Sequence, residues 1–364
     1  MYFITPPTKM LGLDISDLSI KAVQIEKTKL KAWGDYSLPR GIVEEGMIKD
    51  FERTAEAIKK ILTDSKRKFT TNYAVLSLPE TKSFIKMIEI PNKKGNLGEI
   101  IKYELPKHVP VDLDEVELDW QEIKSNGRKR KFLIGIIPEE VANDYIKVSR
   151  MAGLEPVVLE IEAQSIVRSI MDCKTDSSTN FFKKLFLKDK KEIVKKEIHG
   201  PKIILDLGAT RTSLIMIEYG IIQFTVSLSD ISGEDITKGI SEKMNLTLKE
   251  AEKIKIICGN SPKKCKGCVR NIIKECIERL AEKIKNMEKF YESHFGSSVR
   301  ETEIILCGGG ANLAGISNDL KKLTNRNIRL ANPLVNISNN ANDESIKKFM
   351  PYTTAIGLAL RRII

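Results

Sequence analysis

Apolar residues recur at every second position in some stretches of this chain and at every third or fourth in others, and the changes of spacing mark its elements. Leu11 to Glu26 reads as two short strands around a turn. Phe51 to Lys68 places Ala55, Ile58, Ile61 and Leu62 at helical spacing, and Tyr73 to Leu78 alternates as a strand ending at Pro79. Ser83 to Ile90 is a strand, and Leu97 to His108 a short helix confined by Pro106 and Pro110. Val116 to Ile123 and Phe132 to Ile137 are strands around a basic turn. Glu139 to Met151 is a helix closed by Gly153, and Val157 to Ile161 returns to strand. Residues 172–201, polar and then basic, read as a linker. The strand pattern restarts at Ile203, followed by a helix over Leu248 to Ile257. Ile272 to Phe295 is a long amphipathic helix with the stripe Ile273, Ile277, Leu280, Ile284, Met287 and Tyr291. Ile304 to Leu306 is a short buried strand before "CGGGANLAGI", and Pro351 to Arg362 is the last helix. Strands alternate with helices in both halves, which predicts an α/β class.

One pattern is written twice. Leu13 to Glu26, "LDISDLSIKAVQIE", aligns without a gap on Leu205 to Glu218, "LDLGATRTSLIMIE". Asp14 meets Asp206, Ser16 meets Gly208, Ile25 meets Ile217 and Glu26 meets Glu218. Each copy puts an Asp at the end of an apolar strand, turns tightly, and leaves on a second strand. Gly208 lets backbone approach an anion closely, and successive N–H groups of such a turn can cradle a phosphate. Thr210 and Thr212 add hydroxyls, and Asp206 would face metal-bound water, since a carboxylate beside phosphate is tolerable only across a cation. One copy alone reads better as a plain hairpin. Two copies and a Gly-Gly-Gly loop after a buried strand favour the phosphate site.

With 364 residues the chain is long enough for two cores. Its 41% hydrophobic and 30% charged residues exclude a disordered chain. No run of eighteen apolar residues is present, and the N-terminus lacks the basic start and apolar stretch of a signal peptide. The net charge of +11 suggests an anionic neighbour. It concentrates in Arg128 to Lys131, read as a hairpin tip, and in Phe181 to Lys202. Within the latter, Phe181 to Lys188 has an apolar face if helical; a bilayer or partner contact is conceivable there, and a linker is the plainer reading. No aromatic platform interleaves with Arg, so nucleic-acid binding is not expected. The six cysteines read as reduced thiols. Cys258, Cys265, Cys268 and Cys276 have a spacing that can close a zinc site, but Cys276 falls near the apolar stripe and Cys258 at a helix end, which favours plain packing. Cys173 and Cys307 read as buried small hydrophobes, and His108, His199 and His294 have no ligand spacing.

The two hairpins and the glycine loop together resemble the actin-like ATPase superfamily, and the resemblance covers essentially the whole chain. It implies an α/β, actin-like (ribonuclease H-like) two-domain ATPase fold with a small inserted α+β subdomain. The hairpins look like that family's first and second phosphate loops, and Ile305 to Ile316 with Gly308, Gly309 and Gly310 looks like its adenosine loop. Glu252 and Lys255 resemble the pair that touches ribose and adenine. Glu162, in "LEIEAQS", stands where many members orient the attacking water. The resemblance implies ATP and Mg²⁺ as cofactors, with Asp14 and Asp206 at the metal and Glu162 and Asp206 as catalytic groups. The implied organisation is 1–82 for the first actin-like domain, 83–153 for the inserted subdomain, 154–171 for the connection and 172–201 for the linker. Residues 202–335 are the second domain, helical at about 236–298, and 336–364 the returning helix.

Finer details resemble the PilM family of type IV pilus assembly, notably "LGLDISDLSIKAVQIE", Ile231 to Lys255, and Tyr103 to Ile123. That resemblance implies a cytosolic scaffold, peripheral to the inner membrane, that binds the N-terminal tail of a PilN-like membrane protein. A pilus assembly ATPase is a possible further partner, and an oligomer is possible. The expected tail site is a groove between the inserted block and the first domain, with Ser83 to Ile90 among its edge strands. The first loop departs from the family's Asp-x-Gly-Ser: it reads Asp14-Ile15-Ser16-Asp17, with Asp17 where a small hydroxyl residue grips phosphate and Lys21 retained. A weak ATPase at most is therefore expected. The alternatives are an FtsA- or MreB-like filament protein, of which the end near the last helix argues against FtsA, and a sugar-kinase-like phosphotransferase, which lacks a convincing Asp-in-loop base.

Overall fold

Strands β1 (Leu11–Ser16), β2 (Ser19–Glu26) and β3 (Lys29–Ser37) form an antiparallel meander in the computed structural model. The structure describes residue 7 and residues 9–92, 95–109, 115–125, 128–172, 200–261, 263–337 and 341–361. Cys173, His199 and nearly all of the expected linker and its basic run lie outside the described residues. After the small hairpin β4 (Val43–Glu44) and β5 (Met47–Ile48) comes helix α1 (Phe51–Asp64). The Asp50 side chain caps α1 by accepting the Arg53 N–H, and Ala55, Ile58 and Ile61 are its buried face. Strand β6 (Tyr73–Leu78) then adds parallel to β1.

The next elements are β7 (Phe84–Pro91), α2 (Leu97–Glu104), β8 (Val116–Ser125), β9 (Lys129–Pro138) and α3 (Glu139–Met151). Strand β10 (Glu155–Ile161) lies parallel to β6 and completes a sheet in the order β10-β6-β1-β2-β3. Helix α4 (Glu162–Ile170) follows directly.

The second half repeats the first. Strands β11 (Lys202–Leu207), β12 (Thr212–Glu218) and β13 (Ile221–Leu228) form the same meander. Helices α5 (Gly233–Met244), α6 (Leu248–Cys258) and α7 (Cys268–Phe295) precede β14 (Glu303–Cys307). Helix α8 (Ile316–Thr324), strand β15 (Asn327–Leu330), and helices α9 (Asp343–Phe349) and α10 (Thr353–Ala359) end the described chain. The order β15-β14-β11-β12-β13 matches that of the first sheet. Registers match too: Asp14 faces Lys21 as Asp206 faces Ser213. Even the bulge recurs, between Gln24 and Ile25 and between Met216 and Ile217. The six stripe residues expected on α7 are all buried.

Helices α4 and α10 cross at backbone contact. A Cβ at Gly357 would lie 1.8 Å from the Ser165 carbonyl oxygen, so only glycine permits this crossing. Arg168 on α4 donates to the Gly357 carbonyl at 2.9 Å and pairs with Glu160, which also accepts Arg361.

Two expectations need correction. Strand β7 is not an edge. It pairs with β13 at Phe224–Lys86 and with β9 along its length, so the second sheet continues as β13-β7-β9-β8. The edge is β8. The basic run is not a free hairpin tip either: Lys129 to Lys131 lie within β9, where their neighbours are acidic. Glu89 on β7 pairs with Lys129 at 2.7 Å and Lys131 at 3.8 Å, and Glu122 on β8 pairs with Arg130 at 2.6 Å.

Candidate functional site

The repeated turns bring buried carboxylates together. Asp14 accepts a hydrogen bond from Ser77 Oγ at 3.0 Å. Asp206, at the matching place, accepts a long contact of 3.6 Å from Cys307 Sγ. Glu162, the first residue of α4, accepts from Arg211 of the second turn at 2.5 Å, and both are buried. Glu80, just after β6, is 4% exposed and its oxygens make no hydrogen bond of normal geometry, although Ser213 and Thr225 lie beside it.

Crowding out of water shifts these groups. Burial pushes Glu162 up to about 7; Arg211 opposes this, and the Asp14 charge adds to it. Burial pushes Asp206 up to about 6, again opposed by Arg211 and reinforced by Asp14 and Glu80. Burial raises Glu80 as well. Burial would lower the Arg211 pKa, but Glu162 outweighs it and the guanidinium stays charged.

The first turn holds itself together. Ser16 Oγ donates to the Ser19 carbonyl at 2.9 Å, and Lys21 Nζ donates to Ser19 Oγ at 2.5 Å. Asp17 Oδ1 accepts the Gly46 N–H at 3.0 Å, while the Tyr145 hydroxyl donates to the Gly46 carbonyl at 3.0 Å. Asp17 thus ties the β4–β5 turn to the first loop through one of its oxygens.

The second turn is seated on α5. The Gly233 N–H donates to the Gly208 carbonyl at 3.1 Å, and the Glu234 N–H to the Ala209 carbonyl at 2.8 Å. Gly208 closes the turn through its N–H to the Arg211 carbonyl at 3.0 Å. Thr210 is half-buried, and the Thr212 hydroxyl is buried without a partner. Lys255 Nζ donates to the Gly233 carbonyl at 2.8 Å and lies 2.8 Å from Glu252, which also accepts Thr237 Oγ1 at 2.6 Å. Glu252 and Lys255 therefore meet beside the second loop. Across the cleft, Arg40 pairs with Glu234.

The glycine loop lies over β11. Gly308 has φ +77°, and a Cβ there would meet Asp206 Oδ1 at 2.3 Å. Gly310 is as tight, with Leu207 Cβ 2.8 Å from the position of a Cβ. Gly309 is open: its nearest neighbour would be Pro351 at 3.9 Å.

This donor set fits a nucleotide with a divalent cation. Asp14, Glu80, Glu162 and Asp206 lie near Arg211; burial raises Glu80, burial first and then neighbouring carboxylate charge raises Glu162 and Asp206, and a cation would relieve that charge. Among the described residues no three acidic, Cys or His side chains converge as metal ligands.

A second concave feature is a cavity of about 470 Å³ under the inserted strands. Consecutive β8 residues, Glu117 to Gln121, line it. Successive side chains on a strand point to opposite faces, so an unbroken run means that the cavity follows the strand's edge. Its other walls include Leu133 of β9, Ile146 of α3, Gln164 and Val167 of α4, and Ile221 of β13.

Sequence reasoning missed Arg211, Glu80 and Tyr145. Arg211 was visible as a cation inside an otherwise apolar and acidic hairpin; Glu80 and Tyr145 carry no local signal. The cysteine expectation is also corrected. The Cys258 and Cys265 side chains come together, with Cα atoms 6.0 Å apart, rather than lying as separate buried thiols. Cys268 is exposed, Cys276 is half-buried with its thiol pushed up to about 11 by burial, and Cys307 is buried.

The profile of the family described as "Type IV pilus assembly protein PilM" matches residues 12–363. No curated protein matches the chain in sequence. Among solved structures, the PilM-PilN type IV pilus biogenesis complex is similar with a TM-score of 0.78 and 22% identity, over 98% of this chain and 99% of that one. MreB 5 of Spiroplasma citri bound to AMPPNP gives a TM-score of 0.59 at 13% identity, over 98% and 97%. The ethanolamine utilization protein EutJ from Carboxydothermus hydrogenoformans gives 0.58 at 16%, over 98% and 90%. The fold is thus the actin-like one.

Proposed function

The chain belongs to the type IV pilus assembly protein PilM family, and from that premise we propose that it is a nucleotide-binding scaffold of the pilus assembly platform, binding the N-terminal tail of a PilN-like membrane protein. The observation that carries this reading is the cavity along the free edge of β8. An extended tail adds there by backbone pairing while its side chains fill pockets. The cavity is mostly apolar inside and has Glu117 and Asp119, both exposed, at its rim. That combination suits an apolar tail with basic residues. The similar solved structure is itself a PilM-PilN complex, which supports this choice of partner. The protein would sit at the cytoplasmic face of the inner membrane through that tail. Among the described residues no helix is long and apolar enough to cross a membrane.

In this reading ATP lies between the two sheets. Gly308, Gly309 and Gly310 form the nucleoside side, and Glu252 and Lys255 the ribose side. The turns at Ser16 and Lys21 and at Gly208, Thr210 and Thr212 flank the phosphates. Asp14 and Asp206 would hold Mg²⁺ through its water, and the ion would supply the positive charge that this carboxylate cluster lacks. Glu162 would be the water-orienting base in this reading, but Arg211 occupies it. The carboxylate oxygen hydrogen-bonded to Arg211 is not free to orient a water, which supports slow hydrolysis and a scaffold role.

Calorimetric titration with a synthetic peptide of the PilN-like tail tests the reading. Gln164 lines the cavity and is half-buried, so Gln164→Trp fills the space. That variant should fold, by circular dichroism, and lose the peptide. Unchanged affinity would move the site elsewhere.

A further inference from the structure

Helix α6 packs Ile254 against the core but turns three large aliphatic side chains outward. Ile256 is 71% exposed, Ile257 64% and Leu248 40%, while the helix buries only Ala251 and Cys258. Two adjacent isoleucines in water forgo the burial that drives folding, and such a patch marks a contact surface.

The surroundings of the patch are cationic. Exposed Lys253 lies one turn before Ile256 and Ile257, and exposed Lys249 one turn before Lys253. The meeting of the Cys258 and Cys265 side chains folds the following turn back against the helix end. That turn carries exposed Lys263 and Lys264, and Lys264 Nζ donates to the Ile257 carbonyl at 2.9 Å. The acidic groups of α6 are engaged locally: Glu250 in the capping box with Thr247, and Glu252 with Lys255 and Thr237.

We propose that this face of α6, with the turn folded against it, docks on an anionic lipid bilayer. Three features select the bilayer. The face is the convex ridge of a helix, suited to pressing two aliphatic side chains between headgroups, and it is not a groove. Its composition is Ile and Lys, without the Tyr, Trp and Arg that anchor protein interfaces, where Lys is depleted. Basic residues around an apolar ridge are what interfacial helices present to anionic lipid. A second copy is disfavoured by charge, since the chain carries +11 overall. The inference is independent of the peptide cavity: it gives the protein a direct hold on the membrane besides any partner's tail.

Co-sedimentation of the full chain with vesicles tests it, using pure phosphatidylcholine and an equal mixture with phosphatidylglycerol. The wild type should bind the anionic vesicles only, and less so in high salt. Residues 173–199 are also basic, so the comparison is between chains that differ only on α6. Ile256→Ser with Ile257→Ser should lower the partition about tenfold or more. Lys249→Glu with Lys253→Glu should lower it further, each lysine near the surface adding about fivefold. Both pairs are on the surface, so unchanged thermal unfolding certifies the fold. A wild type that ignores anionic vesicles, or isoleucine variants that bind like the wild type, would overturn the proposal. So would self-association without vesicles that the same variants abolish, because the occupant would then be a second copy.

Discussion

Arg211 Nη2 donates to Glu162 Oε1 at 2.5 Å, joining the second of two duplicated turns to the first residue of α4. The pair is buried, and its neighbours are carboxylates. Removing the cation leaves Glu162 beside Asp14 and Glu80 without compensation, whereas removing the anion leaves Arg211 with Asp17 near it. Arg211→Met should therefore cost about 3–5 kcal/mol in urea unfolding, and Glu162→Gln clearly less. Equal costs would mean that the surrounding carboxylates do not feel Arg211.

The same crowding sets a pH dependence. Glu162 titrates at about 7 when folded against an unfolded value of 4.5, and Asp206 at about 6 against 3.8. These carboxyls bind protons more tightly when folded, so they favour the folded state at low pH. Their penalty grows as pH rises from about 4 to 7 and is complete above that. In the proposed nucleotide-bound state, Mg²⁺ with ATP would offset the penalty. The thermal shift caused by MgATP should thus be larger at pH 8 than at pH 5.5. A shift that is the same at both would separate these carboxylates from the cation.

The glycine loop separates binding from folding. Gly309 has room for a side chain and Gly310 has not. Gly309→Trp should fold with near-native stability and lose ATP through collision with the nucleoside, as calorimetry would show. Gly310→Ala should itself cost about 1–3 kcal/mol of stability, because its Cβ would meet Leu207 at 2.8 Å. Native ATP affinity in Gly309→Trp would put the nucleoside elsewhere.

Asp17 offers a cleaner charge test than its departure from the family suggests. Its Oδ1 accepts the Gly46 N–H, so Asp17→Ser would alter both charge and structure. Asp17→Asn keeps an acceptor and removes the charge. ATP affinity should rise by on the order of 1 kcal/mol, with stability little changed. Weaker binding would place Asp17 among the groups that hold the cation.

The duplicated hairpins were legible because each carries its own periodicity, its own Asp and its own turn, all within fourteen residues of sequence. The stripe on α7 was legible for the same reason. What escaped lies in long-range pairing. Strand β7 reads like any amphipathic strand, and nothing local in it announces that Lys86 will meet Phe224 and carry the second sheet onward. The basic run on β9 is neutralised by Glu89 and Glu122, which sit on two other strands. Glu80 and Arg211 are separated by more than a hundred residues and become neighbours only when the two halves close on each other. The candidate nucleotide residues were therefore readable singly, and the ion pair that restrains them was not.

Backbone pairing along β8 is the central claim, and amide hydrogen exchange measures it at the atoms concerned. Exchange would be followed in the full chain, alone and saturated with the synthetic tail peptide of the PilN-like protein. An added strand takes up the N–H groups of the edge that do not already bond to β9, so alternate amides from Glu117 to Ile123 should slow markedly. Protection confined to other segments, with β8 exchanging as fast as in the free protein, would contradict the account.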